Sequence, residues 1–457
     1  MKNNSSAIGR KVLVGVAAAT LVGALAGCSQ GGSGGGLSTG GAEGGKGGET
    51  LVVMAGQGPW HPGYAAAIAE YEKESGNKVD VRQFPNNDLV GQMVNDIQGG
   101  KHVFDVYLIN ESDMTNFVDH EWLRPFTDID PDYQLDPEIF TYDSLPYWDA
   151  ETKTFTPDGT LTSAPINGNL QILSYRTDIY DDLGLDTPET WQDVVDNGKE
   201  IQQEGAAKYG GAYALQGATG GYALISYYFQ PILNALGGTW FADEGTDWTP
   251  TVDSPQAIDA AKLFRELALT GPEATTTMGQ AQALAAVQAG DAAQSYLVPA
   301  AALQLEDEAN SNVVGKITYA PLPDGPDGEP ATSSGIWSLG VPAGLDDDRS
   351  ETALDFIDYV TSKDAQTVFT DNGGIPIRGD VDLSALDDAK QEALKANSDS
   401  AKGATGQFRY LFAADMLTIT EPILTNIAAG TVTPEAGMAD MQAQLTALIK
   451  KQGLPMN

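Results

Sequence analysis

The chain has 457 residues, 42% of them apolar and 19% charged, which is long for one hydrophobic core and enough to fill two. With 63 acidic against 25 basic residues the formal net charge is −38, so the chain is repelled by nucleic acid and by anionic membrane surfaces and suits a neutral ligand better than an anionic one. A single cysteine and three histidines exclude a disulfide framework and a cysteine-rich zinc site, so the folded part is held by its cores alone.

Lys2, Arg10 and Lys11 precede an apolar stretch from Val12 to Ala26, the order of a signal peptide and short for a membrane span. Leu25-Ala26-Gly27-Cys28 resembles the lipobox of bacterial lipoproteins. That resemblance implies a signal peptide over 1–27, lipidation of Cys28, and a mature protein anchored on the outer face of the cell membrane, as on a Gram-positive surface. Residues 28–49 are rich in glycine and serine and read as a flexible tether with nothing to bury.

The folded part begins at Thr50. Leu51–Ala55 reads as a buried strand and Tyr64–Ser75 as a helix stopped at Gly76-Asn77. A strand over Lys78–Phe84, a helix over Leu89–Ile97 ending at Gly99-Gly100, a strand over Phe104–Ile109 and a helix over Met114–His120 follow. Strand and helix in alternation predict a mostly parallel sheet covered by helices, with ligands beyond the carboxyl ends of its strands. Leu161–Tyr175 reads as one strand crossing to a new region. Helices follow at Thr177–Leu183 and at Trp191–Glu204, the second capped by Thr190. Tyr222–Leu236 is strongly apolar, Ser254–Leu269 is an amphipathic helix, and Met278–Ala289 is rich in Ala and Gln. Strands are expected at Asp291–Leu297, Ile317–Ala320 and Gly335–Val341. Helices are expected at Glu351–Val360, at Lys363–Thr370 and again from Leu383 onward.

No chemistry of bond cleavage is visible. His61, His102 and His120 are not at metal-ligand spacing, and neither a Gly-x-Ser-x-Gly elbow nor a phosphate-cradling Walker loop occurs. No metal and no cofactor is expected. Paired carboxylates could in principle make a glycosidase, but among 63 acids no pair stands out. Glu111, after a strand end, reads as an acceptor for hydroxyls. Loops and strand ends carry Trp60, Asn110, Asn167, Asn169, Tyr222, Tyr296, Trp337, Phe408 and Arg409, an aromatic and amide set that suits the apolar faces and hydroxyls of a neutral saccharide. Trp122, Trp148, Trp191, Trp240 and Trp248 are left to packing or to the surface.

Phe104-Asp105-Val106-Tyr107, Leu185-Asp186-Thr187-Pro188-Glu189-Thr190-Trp191, Ala289-Gly290-Asp291, Pro321-Leu322-Pro323, Gly335-Ile336-Trp337 and Gly374-Ile375-Pro376-Ile377-Arg378 follow one another in an order that resembles the carbohydrate-binding solute receptors of ABC importers. The resemblance runs from Leu51 to the C-terminus. It implies a type II periplasmic-binding-protein-like α/β fold: lobe 1 over 50–163 and 334–361, lobe 2 over 164–333 and 362–457, hinge crossings, and a ligand cleft between the lobes. It also implies a monomer that captures a neutral sugar or short oligosaccharide, hands it to a membrane permease and catalyses nothing. A polyol or glycerol phosphoester is the alternative ligand, and a secreted glycoside hydrolase the alternative class. His61, Asn110, Glu111, Asn169, Tyr222, Tyr296, Trp337, Arg378, Phe408 and Arg409 then fall at or near cleft segments. The run Gly56–His61 departs in detail from maltose-binding members.

Overall fold

The structure is a computed structural model that describes residues 48–209, 211–214, 225–271, 275–325, 331–406 and 408–457. Cys28, the tether up to residue 47 and Tyr222 lie outside the described residues. The chain opens with β1 (Thr50–Gly56), α1 (His61–Ser75), β2 (Lys78–Phe84), α2 (Asn86–Gly99), β3 (Tyr107–Asn110) and α3 (Glu111–Asp119). After small hairpins come β4 (Ala164–Asn167), β5 (Ile172–Arg176), α4 (Trp191–Tyr209), β6 (Gly211–Ala214), α5 (Ile225–Ala235), α6 (Pro255–Leu269), α7 (Gln280–Ala289), β7 (Ala292–Leu297) and β8 (Ile317–Pro321). The chain then returns through β9 (Thr332–Ser333) to β10 (Trp337–Gly340), α8 (Asp347–Thr361) and α9 (Lys363–Asp371). It finishes with α10 (Asp388–Asp399), β11 (Ala404–Thr405), α11 (Ala413–Ala428) and α12 (Pro434–Gln452).

Local signals explain most boundaries. Gly76 and Gly100 end α1 and α2 in the left-handed region, at φ of 75° and 62°, where a side chain would be strained. α1 starts three residues before the expected Tyr64, with Pro62 in its first turn, where a missing N–H costs nothing. The Thr190 hydroxyl accepts from the Asp193 amide at 3.1 Å, and the Asp193 carboxylate accepts from the Thr190 amide at 2.8 Å, so both caps at the start of α4 are filled.

Two sheets result. In the first lobe β2, β1 and β3 run parallel. The returning β10 inserts between β3 and β4, antiparallel to both. In the second lobe the order is β8-β5-β7-β6, with only β7 and β6 parallel. The expected parallel pattern therefore holds only where strand and helix alternate directly. Strands that arrive from the other lobe enter antiparallel.

The expected strand Leu161–Tyr175 is divided among three strands in different sheets, the end of the hairpin strand Thr160–Leu161, then β4, then β5, with the break between the last two at residues 168–171 where the chain crosses between lobes. A side chain at Gly168 would collide with the Tyr142 hydroxyl and the Pro376 carbonyl, so only glycine fits there. Asn397 clamps the crossing, donating to the Gly168 carbonyl and accepting from the Leu170 amide, each at 2.9 Å.

The lobe boundaries fall later than 163/164 and 361/362. Ala164 and Ile166 of β4 and Phe369 of α9 are buried in the first core. α9 packs against α1, so closely that any side chain at Gly63 would strike the Phe369 carbonyl. A second core gathers Trp191, Phe229, Phe264, Met441 and their neighbours, and a smaller third one joins α7, β7 and α10. Among the described residues no helix is long and apolar enough to cross a membrane.

Candidate ligand cleft

A cleft of about 370 Å³ lies between the lobes. The first lobe supplies its wall from strand ends. The loop Gln57–Trp60 leaves the carboxyl end of β1, Asn110 closes β3, and Trp337 opens β10. The sheet register sets Trp337 opposite Asn110 on one side and Asn167 on the other. The rings of Trp60 and Trp337, 3% and 8% exposed, meet at 6.3 Å with a 44° tilt. Both indoles line the cleft and also pack into the first core.

Amides complete this wall. Asn110 caps α3, its Oδ1 accepting from the Ser112 amide at 3.1 Å and the Ser112 hydroxyl at 2.7 Å. Asn86 donates through Nδ2 to the Gln57 carbonyl at 2.9 Å, which holds the loop. The Oδ1 atoms of Asn86 and of Asn169 are buried and, among the described residues, accept from nothing. Two acceptors of this kind at one cleft are costly unless a ligand hydroxyl completes them.

The second lobe contributes Tyr227 and Tyr228 from α5, Gln280 and Leu284 from α7, and residues 298–304 after β7. The amino end of α5 is fixed by Glu421 of α11, whose carboxylate accepts from the Ile225 amide at 2.8 Å, the Ser226 amide at 3.0 Å and the Ser226 hydroxyl. Burial still holds the Glu421 carboxyl above the usual range. Among the described residues that line the cleft, none is charged.

Of the residues singled out from sequence, the cleft brings together Trp60, Asn110, Asn169 and Trp337. The others among the described residues stand elsewhere. His61 turns back, its Nε2 donating to the Gly56 carbonyl and its Nδ1 accepting from Gln83 at 3.1 Å. Asn167 is fully buried and accepts from the Ile375 amide at 3.1 Å, tying two crossings together. The Tyr296 hydroxyl donates to the Tyr228 carbonyl at 2.9 Å and its ring packs on Trp191, so it supports the cleft from behind. Arg378 is ion-paired with Asp380 at 2.6 Å and Asp136 at 3.0 Å.

Glu111 and Arg409 pair with each other at 3.3 Å, 0% and 8% exposed. Ser334 donates to both Glu111 oxygens at 3.0 and 2.8 Å. Arg409 also donates to the carbonyls of Tyr142 and Asp143, each at 2.9 Å. Glu111 is thus a buried ion-pair partner rather than a wall of the cleft. Phe408 packs edge-on to Trp240 at 4.9 Å and faces a separate hollow.

Sequence reasoning missed Gln57, Asn86, Tyr227, Tyr228, Gln280 and Gln304. The tyrosine pair sits in the stretch 222–236, read from sequence only as strongly apolar. Its signal was two adjacent hydroxyl-bearing rings at the start of a helix.

Two lobes with a cleft between them, lined among the described residues by no charged side chain, are the arrangement of a receptor for a small solute, a class of which periplasmic binding proteins are the example. The family profile for bacterial extracellular solute-binding proteins matches residues 58–367, and the chain belongs to that family. Its members are binding proteins rather than enzymes and work outside the cytoplasm. The probable amino-acid ABC transporter periplasmic-binding protein y4oP of Sinorhizobium fredii is 23% identical over 416 residues, 89% of this chain and 90% of that protein. The erythritol/L-threitol-binding protein of Mycolicibacterium smegmatis is 23% identical over 336 residues, 71% of this chain and 69% of its own length. An ABC transporter solute-binding protein from Agrobacterium radiobacter K84, solved in complex with ribitol, shares the fold with a TM-score of 0.68. It is 20% identical and covers 88% of this chain and 99% of its own.

Proposed function

We propose that the chain is the receptor of an ABC importer and that its cleft takes a neutral polyhydroxylated solute: a sugar alcohol, a sugar or a short oligosaccharide. The observation that carries this is the lining, two indoles and a set of amides and tyrosines without one charged side chain. Indole faces cover the apolar faces of such ligands, and amides exchange hydrogen bonds with hydroxyls. An amino acid would bury an ammonium and a carboxylate with no counter-charge in this cleft, and a phosphoester would bury a dianion; both are costly. The cleft's volume is near the low end of the roughly 300–1,000 Å³ typical of ligand sites, which favours a ligand of one or two rings.

In this reading Trp60 and Trp337 are the platforms. Asn86, Asn110 and Asn169 meet hydroxyls from the first lobe, and Tyr227 and Tyr228 close from the second. The protein works as a monomer, hydrolyses nothing, is held to the cell membrane through a lipidated Cys28, and delivers its ligand to a permease. Calorimetric titration with ribitol, glucitol, maltose, an amino acid mixture and glycerol 3-phosphate tests it. Binding confined to the neutral hydroxylated ligands supports the reading. Binding of only the amino acids or the phosphoester overturns it. For the anchor, Cys28→Ala should appear in the soluble fraction, and a variant that stays membrane-bound in mature form removes that part.

A further inference from the structure

A second hollow of about 250 Å³ adjoins the cleft, and Tyr227 lines both. Its walls are aromatic: Tyr227 joins Phe408 and Tyr410, whose rings lie nearly parallel at 6.1 Å, 20° apart. Its one charged lining group is Asp113, in the first turn of α3.

Most other polar groups of the lining are already engaged. The Ser112 hydroxyl donates to Asn110 at 2.7 Å and that of Ser226 to Glu421. Gln230 donates to the Gly406 carbonyl at 2.7 Å, and the Tyr410 hydroxyl to Glu244 at 2.5 Å. Asp113 is different. Among the described residues nothing donates to its carboxylate and no cation pairs with it. Burial alone pushes its pKa up to about 6, with no cation to oppose the shift. The guanidinium of Arg409, next to Phe408 in sequence, does not line the hollow and is taken by Glu111.

A part-buried carboxylate and three aromatic rings lining one hollow are groups that recognise a cation. The rings' π-systems attract it, and so does the carboxylate, each more strongly away from water. The net charge of −38 also raises the local concentration of cations around the molecule. We propose that this hollow takes a protonated amine or quaternary ammonium carried by the ligand whose hydroxylated part fills the cleft, with Asp113 as its counter-charge. The assignment rests on the reading of the cleft as a site for a polyhydroxylated solute, and it changes the ligand from a plain polyol to an aminated one.

The test compares D-glucitol with N-methyl-D-glucamine, the same hydroxylated chain without and with a protonated amine, by calorimetry on the full chain and on Asp113→Asn. The expected result is a preference of about tenfold or more for the amine, equivalent to about 1.4 kcal/mol. Asp113→Asn should collapse that preference toward one and leave glucitol binding unchanged. Rising salt should erode the preference in the parent protein. Equal affinities in the parent overturn the assignment while leaving the polyol reading standing. An equal loss of both ligands in a folded Asp113→Asn also overturns it, because the carboxylate then accepts hydroxyls. Binding of neither compound removes the polyol reading and this assignment together. The melting temperature of each variant shows that it folds, and Asp113→Glu, which keeps the charge, should retain a preference for the amine.

Discussion

Two polar clusters lie within a few residues of each other in sequence at the carboxyl end of β3, and they have opposite characters. Asn110 faces the cleft, in the company of Asn86 and Asn169, whose amide oxygens accept from nothing. Glu111, the next residue, is fully buried between Ser334 and Arg409 with its oxygens occupied. The residue types alone would rank Glu111 and Arg409 above the asparagines as ligand groups. Unfilled acceptor capacity ranks them the other way: the Glu111 carboxylate is already occupied, whereas the Asn86 and Asn169 oxygens have no donor among the described residues.

The largest effect that can break this contrast is on the satisfied side. Arg409→Met leaves Glu111 buried without its cation, which costs about 3–5 kcal/mol. Chemical denaturation should register that loss, while affinity measured on the folded protein moves by less than tenfold. A variant as stable as the parent but unable to bind would return Arg409 to the cleft.

On the open side, Trp337→Ala should weaken binding of the best neutral ligand by about 2 kcal/mol or more, roughly thirtyfold. Calorimetry on folded protein measures it. Unchanged affinity would move the site away from the indole pair.

Asp113 sharpens the contrast through stability. Its folded pKa of about 6 lies above its ordinary 3.8, so the folded state prefers it protonated. The penalty is absent below about pH 4, grows as pH rises through the interval, and is complete above about 6. Asp113→Asn should therefore stabilise the protein at pH 7 by on the order of 1–2 kcal/mol, and the gain should vanish near pH 4. Denaturation curves at the two pH values decide it, and a destabilised variant at pH 7 would mean that the carboxylate has an internal partner.

The smallest expected effect is at the orphan acceptor. Asn169→Leu should leave folding stability within about 1 kcal/mol, because no hydrogen bond is lost inside the protein, yet weaken ligand binding by about 1 kcal/mol. A stability loss larger than the affinity loss would make Asn169 a structural residue.

The sequence carries much of this architecture. β2 and the helix after β5 have the bounds that alternation and terminators suggest, and Ser254 caps α6 as its Ser-Pro start implies, accepting from the Ala257 amide at 3.3 Å. What pattern cannot carry is where a continuous apolar run changes sheets, as at Gly168, or which lobe a late helix such as α9 joins. Those are settled by contacts between segments far apart in the chain. The same limit applies to the cleft. Trp60, Asn110, Asn169 and Trp337 stand out beside turns and strand ends. Glu111 stands out equally, and only a residue 298 positions later shows that its charge is already used. Tyr227 and Tyr228 were hidden because a helix buried on nearly all sides reads as core, even where one face meets a cleft.

The place of β10 also sets a schedule for synthesis. It is the strand between β3 and β4, yet it follows every strand of the second lobe's sheet. The first lobe cannot close its sheet until that late segment has been made, and the second lobe waits for α11 and α12 at the far end. Pairings over such separations are slow to form because the intervening loop must be closed first. A nascent chain of this design stays unlocked for most of its synthesis, and it gains both lobes only once nearly all of it has been made.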